Sequence, residues 1–490
     1  MRQWMVAAKK ADFYVIAEKF HVDPVVARII RNREVIGEKN IRIYLGGNLS
    51  DLSDPHQMKD MDRLVEILAQ KIRKQVHIRI IGDYDVDGVT SSHLFLTALR
   101  RVGAKVDVVI PHRIQDGYGL SLHLLQQAKE DGVDTILTCD NGIAAIDEIA
   151  WAKAQKMTVL VTDHHAVPFE EHEGRRTEKK SLADAVVNPH QQDCGYPYKE
   201  LCGAGVAWNV IRVLYENYDM DKREAEDLLD FVAMATVCDV MSLTGENRIL
   251  VKEGLKRIRH TKNIGLQALM QACNVQPENI SAYHFGYVLG PCVNATGRLD
   301  TARHALRLFE TGQETEAEEI ARDLVDLNQE RKELTLQGVE MAKKLCEEGG
   351  YENDPVLVLF LPDVHESIAG LIAGRIREMY NRPVFVLTRG EEGVKGSGRS
   401  TENYSMYENM CGCAELFTKF GGHPMAAGLS LPEENVEKFR RKINENCPLT
   451  VEEVCPDIHI DMAMPVGYAS TELVHQLSLI HISEPTRQAE

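Results

Sequence analysis

The run GDYDVDGVTSS, residues 82–92, follows the apolar segment VHIRII (76–81) and leads into the helical pattern SSHLFLTALRRVG (91–103). A hydrophobic run, three carboxylates and then a helix describe a strand that delivers acids to one edge of a sheet. Reading outward, KVDVVIP (105–111), TILTCD (135–140) and MTVLVTD (157–163) repeat the apolar run, and SLHLLQQAKEDG (121–132) and AAIDEIAWAKAQ (144–155) supply helical patterns between them. Strands apolar on both faces and joined by helical crossovers form a parallel sheet covered on both sides. The expected fold class is α/β.

Asp83, Asp85 and Asp87 occupy alternate positions, so an extended chain would turn them to one side. Converging carboxylates repel unless a cation neutralises them. Taken alone, the run reads as a solvated acidic turn. A calcium loop is excluded because its twelfth position, counted from Asp83, is Leu94 rather than Glu. The run has company, however. Asp140 ends the TILTCD run, and Asp163, His164 and His165 end VLVTDHH. In an open α/β sheet this is the edge where ligands bind. Asp239 in ATVCDVM closes another apolar run, where it reads either as a cap or, in this company, as a ligand from a facing element. Carboxylates mixed with imidazole favour Mn²⁺ or Mg²⁺. More carboxylates than one ion needs imply two ions, about 3.5–4 Å apart, clamping the attacking and leaving oxygens of a phosphoryl group. Water made acidic by the ions is then the expected nucleophile.

Residues 203–350 are mainly helical in pattern, and the polar stretch 301–348 reads as a helical connector. A second α/β block follows, with PVLVLFLP (355–362), helix ESIAGLIAGRIREMY (366–380), PVFVLTR (383–389) and helix EENVEKFRRKINE (433–445). Two lobes and a connector lead to the expectation of a cleft between them. VKGSGRS (394–400) reads as a Gly-flanked turn holding Ser397 and Arg399, and FGGHPMAAGLS (420–430) presents His423 beside a glycine pair. Glycines let a backbone approach a phosphate, and Arg and Ser supply donors. GPCVNATGRLDTAR (290–303) reads as a loop carrying Asn294 and Arg298.

The chain's 490 residues predict two or three domains. Its 44% hydrophobic and 27% charged residues describe a globular protein. The most apolar stretch, 231–243, is too short to span a bilayer and contains Asp239. The N-terminus lacks the apolar core of a secretory signal, so a cytoplasmic location and no membrane partner are expected. Eleven cysteines without a CxxC pair argue against a zinc ribbon or a disulfide framework. A net charge of −18 disfavours a coat-like duplex binder that rests on a basic surface, whereas metal-binding carboxylates are themselves negative until ions occupy them.

DYDVDG (83–88), CDNG (139–142), DHH (163–165) and CDV (238–240), in that order, resemble the four signature motifs of the DHH phosphoesterase family. More narrowly, the chain from about Trp4 to Gln476, including YLGGNLSDLSDPHQMKDM (44–61), resembles that family's single-stranded-DNA exonucleases, which digest from the 5′ end. The resemblance implies metal ligation by Asp83, Asp85, Asp87, Asp140, His164 and Asp239, and catalytic roles for Asp85, Asp163, His164 and His165. It also implies that Ser397, Arg399 and Arg113 hold a 5′-terminal phosphate, that His423 lies near the scissile phosphate, and that Asn294 and Arg298 line the active-site cleft.

The implied domains are an N-terminal segment (1–70) packing on a DHH catalytic domain (71–300), the connector (301–350), a smaller α/β DHH-associated substrate domain (351–450), and the start of an OB-type region (451–478) that is cut short. The tail LIHISEPTRQAE (479–490) has no family counterpart and reads as translated sequencing adapter. The implied cofactors are two divalent ions. The implied partners are single-stranded DNA with a 5′ end, a single-stranded-DNA-binding protein and a helicase, in DNA repair and recombination. Three other readings compete. Oligoribonucleases and cyclic-dinucleotide phosphodiesterases of the family are generally shorter and lack the long helical segment between the lobes. An inactive replication scaffold would have a decayed metal site, whereas every acid and both histidines are present here. A pyrophosphatase fits the large second lobe poorly.

Overall fold

The computed structural model describes residues 3–481 apart from 114–115, 117–118, 173–174, 352, 391–392 and 451–456. The adapter-like tail beyond residue 481 and the first residues of the OB-type segment therefore lie outside the described residues. Two compact units form. One takes in Lys10–Asn328 and the described residues from Pro465 to His481; the other takes in Gln329–Met464 and the N-terminal strand.

The first unit is built on five parallel strands: β1 (Ile78–Ile81), β2 (Val106–Val109), β3 (Thr135–Cys139), β4 (Thr158–Thr162) and β5 (Ala185–Val187). Their spatial order is β2-β1-β3-β4-β5. Helix α1 (Val86–Arg101) leads from β1 to β2, α2 (Leu122–Glu130) from β2 to β3, and α3 (Ile146–Ala154) from β3 to β4. Ile80, Leu137 and Leu160 pack into a large core with α1 and with two later helices, α4 (Gly203–Asn217) and α5 (Leu229–Cys238). Ile81, Ile136, Val159 and Val161 face the other way, onto Leu125 and Ala128 of α2 and Ile149 and Ala152 of α3. The strands are apolar on both faces because both faces are covered, as expected. The chain leaves β1 for one side of the sheet and returns to the other for β3, so the ends of β1 and β3 flank a topological switch point.

Further helices pack here, among them α6 (Gly245–Ile258), α7 (Gly290–Leu299), α8 (Ala302–Glu310) and the first part of α9 (Glu314–Glu348). The N-terminal segment contributes the helix Met61–Arg73, whose Met61, Leu64 and Leu68 enter the main core. The stretch 301–350 is α8 and α9, and the division between the two units falls inside α9, after Asn328. Asn294 and Arg298 stand on α7, which corrects the loop expected there. The glycines that resembled loop punctuation serve close packing instead. A Cβ on Gly290 would sit 2.3 Å from Cys238 Sγ, and one on Gly297 would sit 2.4 Å from the Tyr84 carbonyl.

In the second unit, β6 (Leu357–Phe360), α10 (Ala369–Tyr380), β7 (Val384–Arg389), β8 (Val394–Arg399), β9 (Lys419–Gly422), β10 (Ala426–Leu431) and α11 (Val436–Glu445) build a mixed sheet of order β9-β10-β8-β7-β6. Only β6 and β7 run parallel. VKGSGRS is strand β8 rather than a turn. Its period-two alternation buries Gly396 and Gly398, where a Cβ would meet Leu387 at 2.4 Å or Met406 Sδ at 2.4 Å, and turns Lys395, Ser397 and Arg399 to the opposite face. Asp457–Ile460 pairs in parallel with Gln3–Val6, and Thr471–His481 forms a helix in the first unit. Among the described residues no helix is long and apolar enough to cross a membrane. The ten described cysteines are free thiols, and of these only Cys411 is exposed.

Candidate metal centre

Three neighbouring strands of the sheet end in acids, two of them at the switch point. Asp83 follows β1, Asp140 follows β3 and Asp163 follows β4. The run 83–87 is not extended, which corrects the alternation argument. Asp85 caps α1, its carboxylate accepting from the Gly88 amide at 3.0 Å, and Asp87 already lies in the first turn. The turn closes because Gly88 lacks a Cβ, which would sit 2.4 Å from the Asp83 carbonyl. Asp87 accepts from the amides of Gly203 and Ala204 at 2.6 and 2.7 Å, at the start of α4. The positive ends of two helices thus face one buried carboxylate. Asp239 arrives from the opposite kind of terminus, the C-cap of α5, where the helix dipole disfavours an anion and favours a cation beside it.

These side chains converge. His164 Nε2 lies 3.1 Å from Asp140 Oδ1, 3.6 Å from Asp239 Oδ2 and 3.7 Å from Asp87 Oδ2. Asp140, His164 and His165 form one compact donor set, Asp87, His164 and Asp239 a second, and Asp83, Asp85 and Asp140 a third. The buried Asp83 Oδ1, Asp140 Oδ1 and His164 Nε2 have no hydrogen-bond partner. Buried lone pairs left unsatisfied are costly, and these point at one another. Divalent cations fit that donor set: mostly hard oxygens, with a neutral imidazole shared between overlapping groups.

The electrostatics agree. Burial, then the charges of Asp87, Asp85 and Asp239, push the Asp140 carboxyl well above its ordinary value. Burial and Asp85 do the same to Asp83, and burial with Asp87 and Asp85 to Asp239. Burial also lowers His164, which favours its neutral imidazole. His165 goes the other way. Burial pulls it down, but the hydrogen bond and charge of Asp163, helped by Asp239 and Asp87, outweigh that and raise it to about 9.

Asp163 faces away from the cluster's open lone pairs. Its Oδ1 accepts from the His164 and His165 amides and lies 2.7 Å from His165 Nδ1, and its Oδ2 accepts from the Ile143 amide. Its hydrogen bonds turn it to His165, and it belongs to none of the three donor sets. Two backbone strains mark the same place: Asp140 at φ 60° and the β-branched Val240 at φ 55°. Left-handed backbone is uncommon for Asp and an outlier for Val.

Nearby, the Arg113 guanidinium lies 4.9 Å from the centre of the Tyr84 ring. Asn294 Oδ1 accepts from the Val86 amide at 3.2 Å, which ties α7 to the start of α1. Arg298 acts electrostatically on Tyr84 from the same helix. Tyr84, Gly203 and Ala204 were not singled out in the sequence; the glycine pair of CGAGVAW ahead of an apolar helix was the available signal. A side chain at 203 has no room, since its Cβ would lie 2.7 Å from Asp140 Cβ and 2.9 Å from Asp140 Oδ1. Gly203→Ala is expected to cost about 1–3 kcal/mol of stability through overpacking and to weaken Mn²⁺ binding; calorimetric unfolding and metal titration measure the two.

In the second unit, Ser397 and Arg399 share a face of β8 opposite the start of α10. A Cβ on Gly370 would meet Arg399 Nη2 at 3.0 Å and Ser397 Cβ at 3.5 Å. His423 is exposed in the β9–β10 hairpin, its amide donating to the Ala426 carbonyl at 2.8 Å.

Residues 77–236 match the DHH family, N-terminal domain, and residues 353–447 match the DHHA1 domain. The chain is 36% identical to the single-stranded-DNA-specific exonuclease RecJ of Haemophilus influenzae over 86% of its own length and 74% of that protein's. It is 33% identical to RecJ of Bacillus subtilis over 95% of its own length, but spans only 58% of that relative. Among solved structures, RecJ of Thermus thermophilus in complex with Mn²⁺ superposes with a TM-score of 0.82 at 26% identity, covering 100% of this chain and 68% of that one. An exonuclease RecJ bound to manganese superposes with a TM-score of 0.69 at 32% identity, covering 81% and 97%.

Proposed function

Because the chain belongs to the DHH family, within its RecJ branch of single-stranded-DNA-specific exonucleases, we propose that it hydrolyses single-stranded DNA from the 5′ end using two divalent cations, Mn²⁺ or Mg²⁺. The observation that carries this reading is the convergence of the orphaned Asp83, Asp140 and His164 lone pairs at the switch-point edge. Asp83, Asp85, Asp87, Asp140, His164 and Asp239 would hold the cations. Once bound, such ions stabilise charge on the phosphoryl oxygens and lower the pKa of water. His165, kept protonated by Asp163 on its Nδ1 side, presents the other ring nitrogen as a donor to the phosphoryl group. Asp163 fixes that ring and the neighbouring backbone. Asn294 holds the start of α1, and Arg298 and Arg113 supply positive charge beside Tyr84.

The strip of Ser397 and Arg399 beside the first turn of α10 has the chemistry of a terminal-phosphate pocket: a guanidinium, a hydroxyl and a helix N-terminus. His423 would act as a substrate contact. Tyr283, which is 58% exposed, stacks on Tyr287 with ring centres 4.8 Å apart, a surface of the kind on which unpaired bases stack. A cytoplasmic role in DNA repair and recombination, with a single-stranded-DNA-binding protein and a helicase as partners, is part of the proposal and is carried by the family likeness alone.

End-labelled, 5′-phosphorylated single-stranded DNA, duplex DNA and RNA, each with Mn²⁺ and with Mg²⁺, test the reading. Mononucleotide release confined to single-stranded DNA is expected, and cleavage of dinucleotides with long strands left intact would assign the chain to the oligonucleotide-degrading relatives. Arg399→Ala is expected to reduce the preference for a 5′-phosphate over a 5′-hydroxyl end about tenfold, the worth of one charge-assisted hydrogen bond. An unchanged preference removes Arg399 from that role.

A further inference from the structure

A second cavity, of about 840 Å³, opens in the first unit away from the metal cluster. That volume lies within the usual range for small-molecule sites. Its position follows from two helices. α1 carries Asp85 and Asp87 at its start and contributes His93, Thr97 and Arg100 to the cavity further along. α5 carries Asp239 at its end and contributes Asp230 and Phe231 to the cavity at its start. The cavity and the metal cluster therefore share two helices, one at each end.

The inner wall is aromatic. The His93 ring lies 4.4 Å from that of Phe231 and 5.8 Å from that of Phe309, and the two phenyl rings are 5.0 Å apart. His93 is 5% exposed, burial lowers its pKa to about 3, and its Nδ1 has no hydrogen-bond partner. A buried polar atom left unpaired in a cavity wall calls for an explanation. Asp230 also lines the cavity, 3% exposed, with its carboxylate accepting from the Thr261 hydroxyl at 2.6 Å and the Phe231 amide at 2.8 Å. Around the mouth, most cations are already paired: Arg101 with Glu224 at 2.7 Å, Arg257 with Glu226 at 2.8 Å and Lys262 with Asp227 at 3.2 Å. Arg100, exposed on α1, forms no such pair among the described residues.

An aromatic wall of rings set at 46° to 73° to one another, a buried imidazole nitrogen without a hydrogen-bond partner, and an exposed guanidinium on α1 outside any ion pair among the described residues are suited to an aromatic heterocycle with polar edges that ends in an anion. We propose that this cavity binds a nucleoside 5′-monophosphate, with the base against the His93–Phe231–Phe309 cluster and the phosphate at Arg100. On the exonuclease reading, this is the class of molecule that the reaction releases, so the cavity would sense product.

The test is direct binding of dAMP, dTMP and adenosine to the full chain by calorimetry, in EDTA so that cation-dependent binding at the metal cluster is suppressed. One saturable site for a monophosphate, with adenosine weaker, is expected. Thr97→Trp, which fills the cavity from an exposed position, and Arg100→Glu should each weaken binding by about tenfold or more while leaving nucleotide-free hydrolysis of DNA unchanged. No binding in EDTA, or binding that neither substitution alters, overturns the proposal. The measurement needs no turnover, so a failure of the exonuclease reading would show separately, as absence of DNA hydrolysis with the nucleotide titration intact.

Discussion

His164→Ala is expected to lower the rate of Mn²⁺-dependent DNA hydrolysis by about 10³-fold or more, some 4 kcal/mol of transition-state stabilisation, without unfolding the protein. The imidazole belongs to two of the three donor sets, and its Nε2 reaches Asp87, Asp140 and Asp239 within 3.7 Å. Removing it opens both sets at once. The fold should survive because the ring makes no hydrogen bond through Nε2 and because the backbone at 164 is held by Asp163, not by the imidazole. Asp85→Ala should match it in direction, with an added small loss of stability from the missing N-cap. His165→Ala should differ: it belongs to one donor set rather than two and its ring is turned to Asp163, so metal binding should fall less than in His164→Ala while the rate falls. Near-normal hydrolysis by His164→Ala in saturating Mn²⁺ would falsify the assignment of the cluster.

The second large effect is thermal. The Asp83, Asp140 and Asp239 carboxyls are held above their ordinary values by burial and by one another. In the unfolded chain they titrate as ordinary carboxyls. Between the ordinary and the raised values the folded protein binds more protons than the unfolded chain. Their contribution is therefore fully present below the ordinary carboxylate pKa and is lost as pH rises through the raised values. Above that window the cluster destabilises the fold until a cation takes the protons' place. Mn²⁺ at about 100 times its dissociation constant adds ~2.7 kcal/mol, and at about 2 °C per kcal/mol the melting temperature should rise by roughly 5 °C. Protons compete with the metal for the same oxygens, so the rise should be larger near pH 8 than near pH 5.5. Asp140→Asn gives a discriminating signature in scanning calorimetry: a higher melting temperature in EDTA and a smaller gain from Mn²⁺. Equal gains at both pH values and in the variant would mean that Mn²⁺ binds elsewhere.

What the sequence disclosed was whatever depends on neighbours in the chain. The runs ending at Asp83, Asp140 and Asp163 are apolar on both faces because each strand is covered twice, so the parallel sheet and its ligand edge could be read residue by residue. The details that went astray are ones that a local pattern leaves ambiguous. Three alternating aspartates look extended until Asp85 is seen to cap a helix. GSGR looks like a turn until Leu387, Phe385 and Met406 are found filling the space of the missing side chains. The glycines around Asn294 and Arg298 look like a loop until Cys238 and Tyr84 are found pressed against them. Asp239 owes its place to the packing of α5 against α1, and the amides of Gly203 and Ala204 owe theirs to α4. Neither is encoded near the acids they serve. Asp163 was recognisable as important, but its role in orienting His165 emerges only from its hydrogen bonds.

Val240 has a consequence for the protein under selection. A β-branched residue held at φ 55° stores on the order of 1–3 kcal/mol, and glycine or asparagine there would release much of it. A screen for heat resistance should therefore find position 240 early. The same relief would loosen the peptide that aims Asp239, so the survivors should hydrolyse DNA more slowly. Durability and catalytic rate would then meet at this residue as opposing demands, and a variant that gained heat resistance with no loss of rate would separate them.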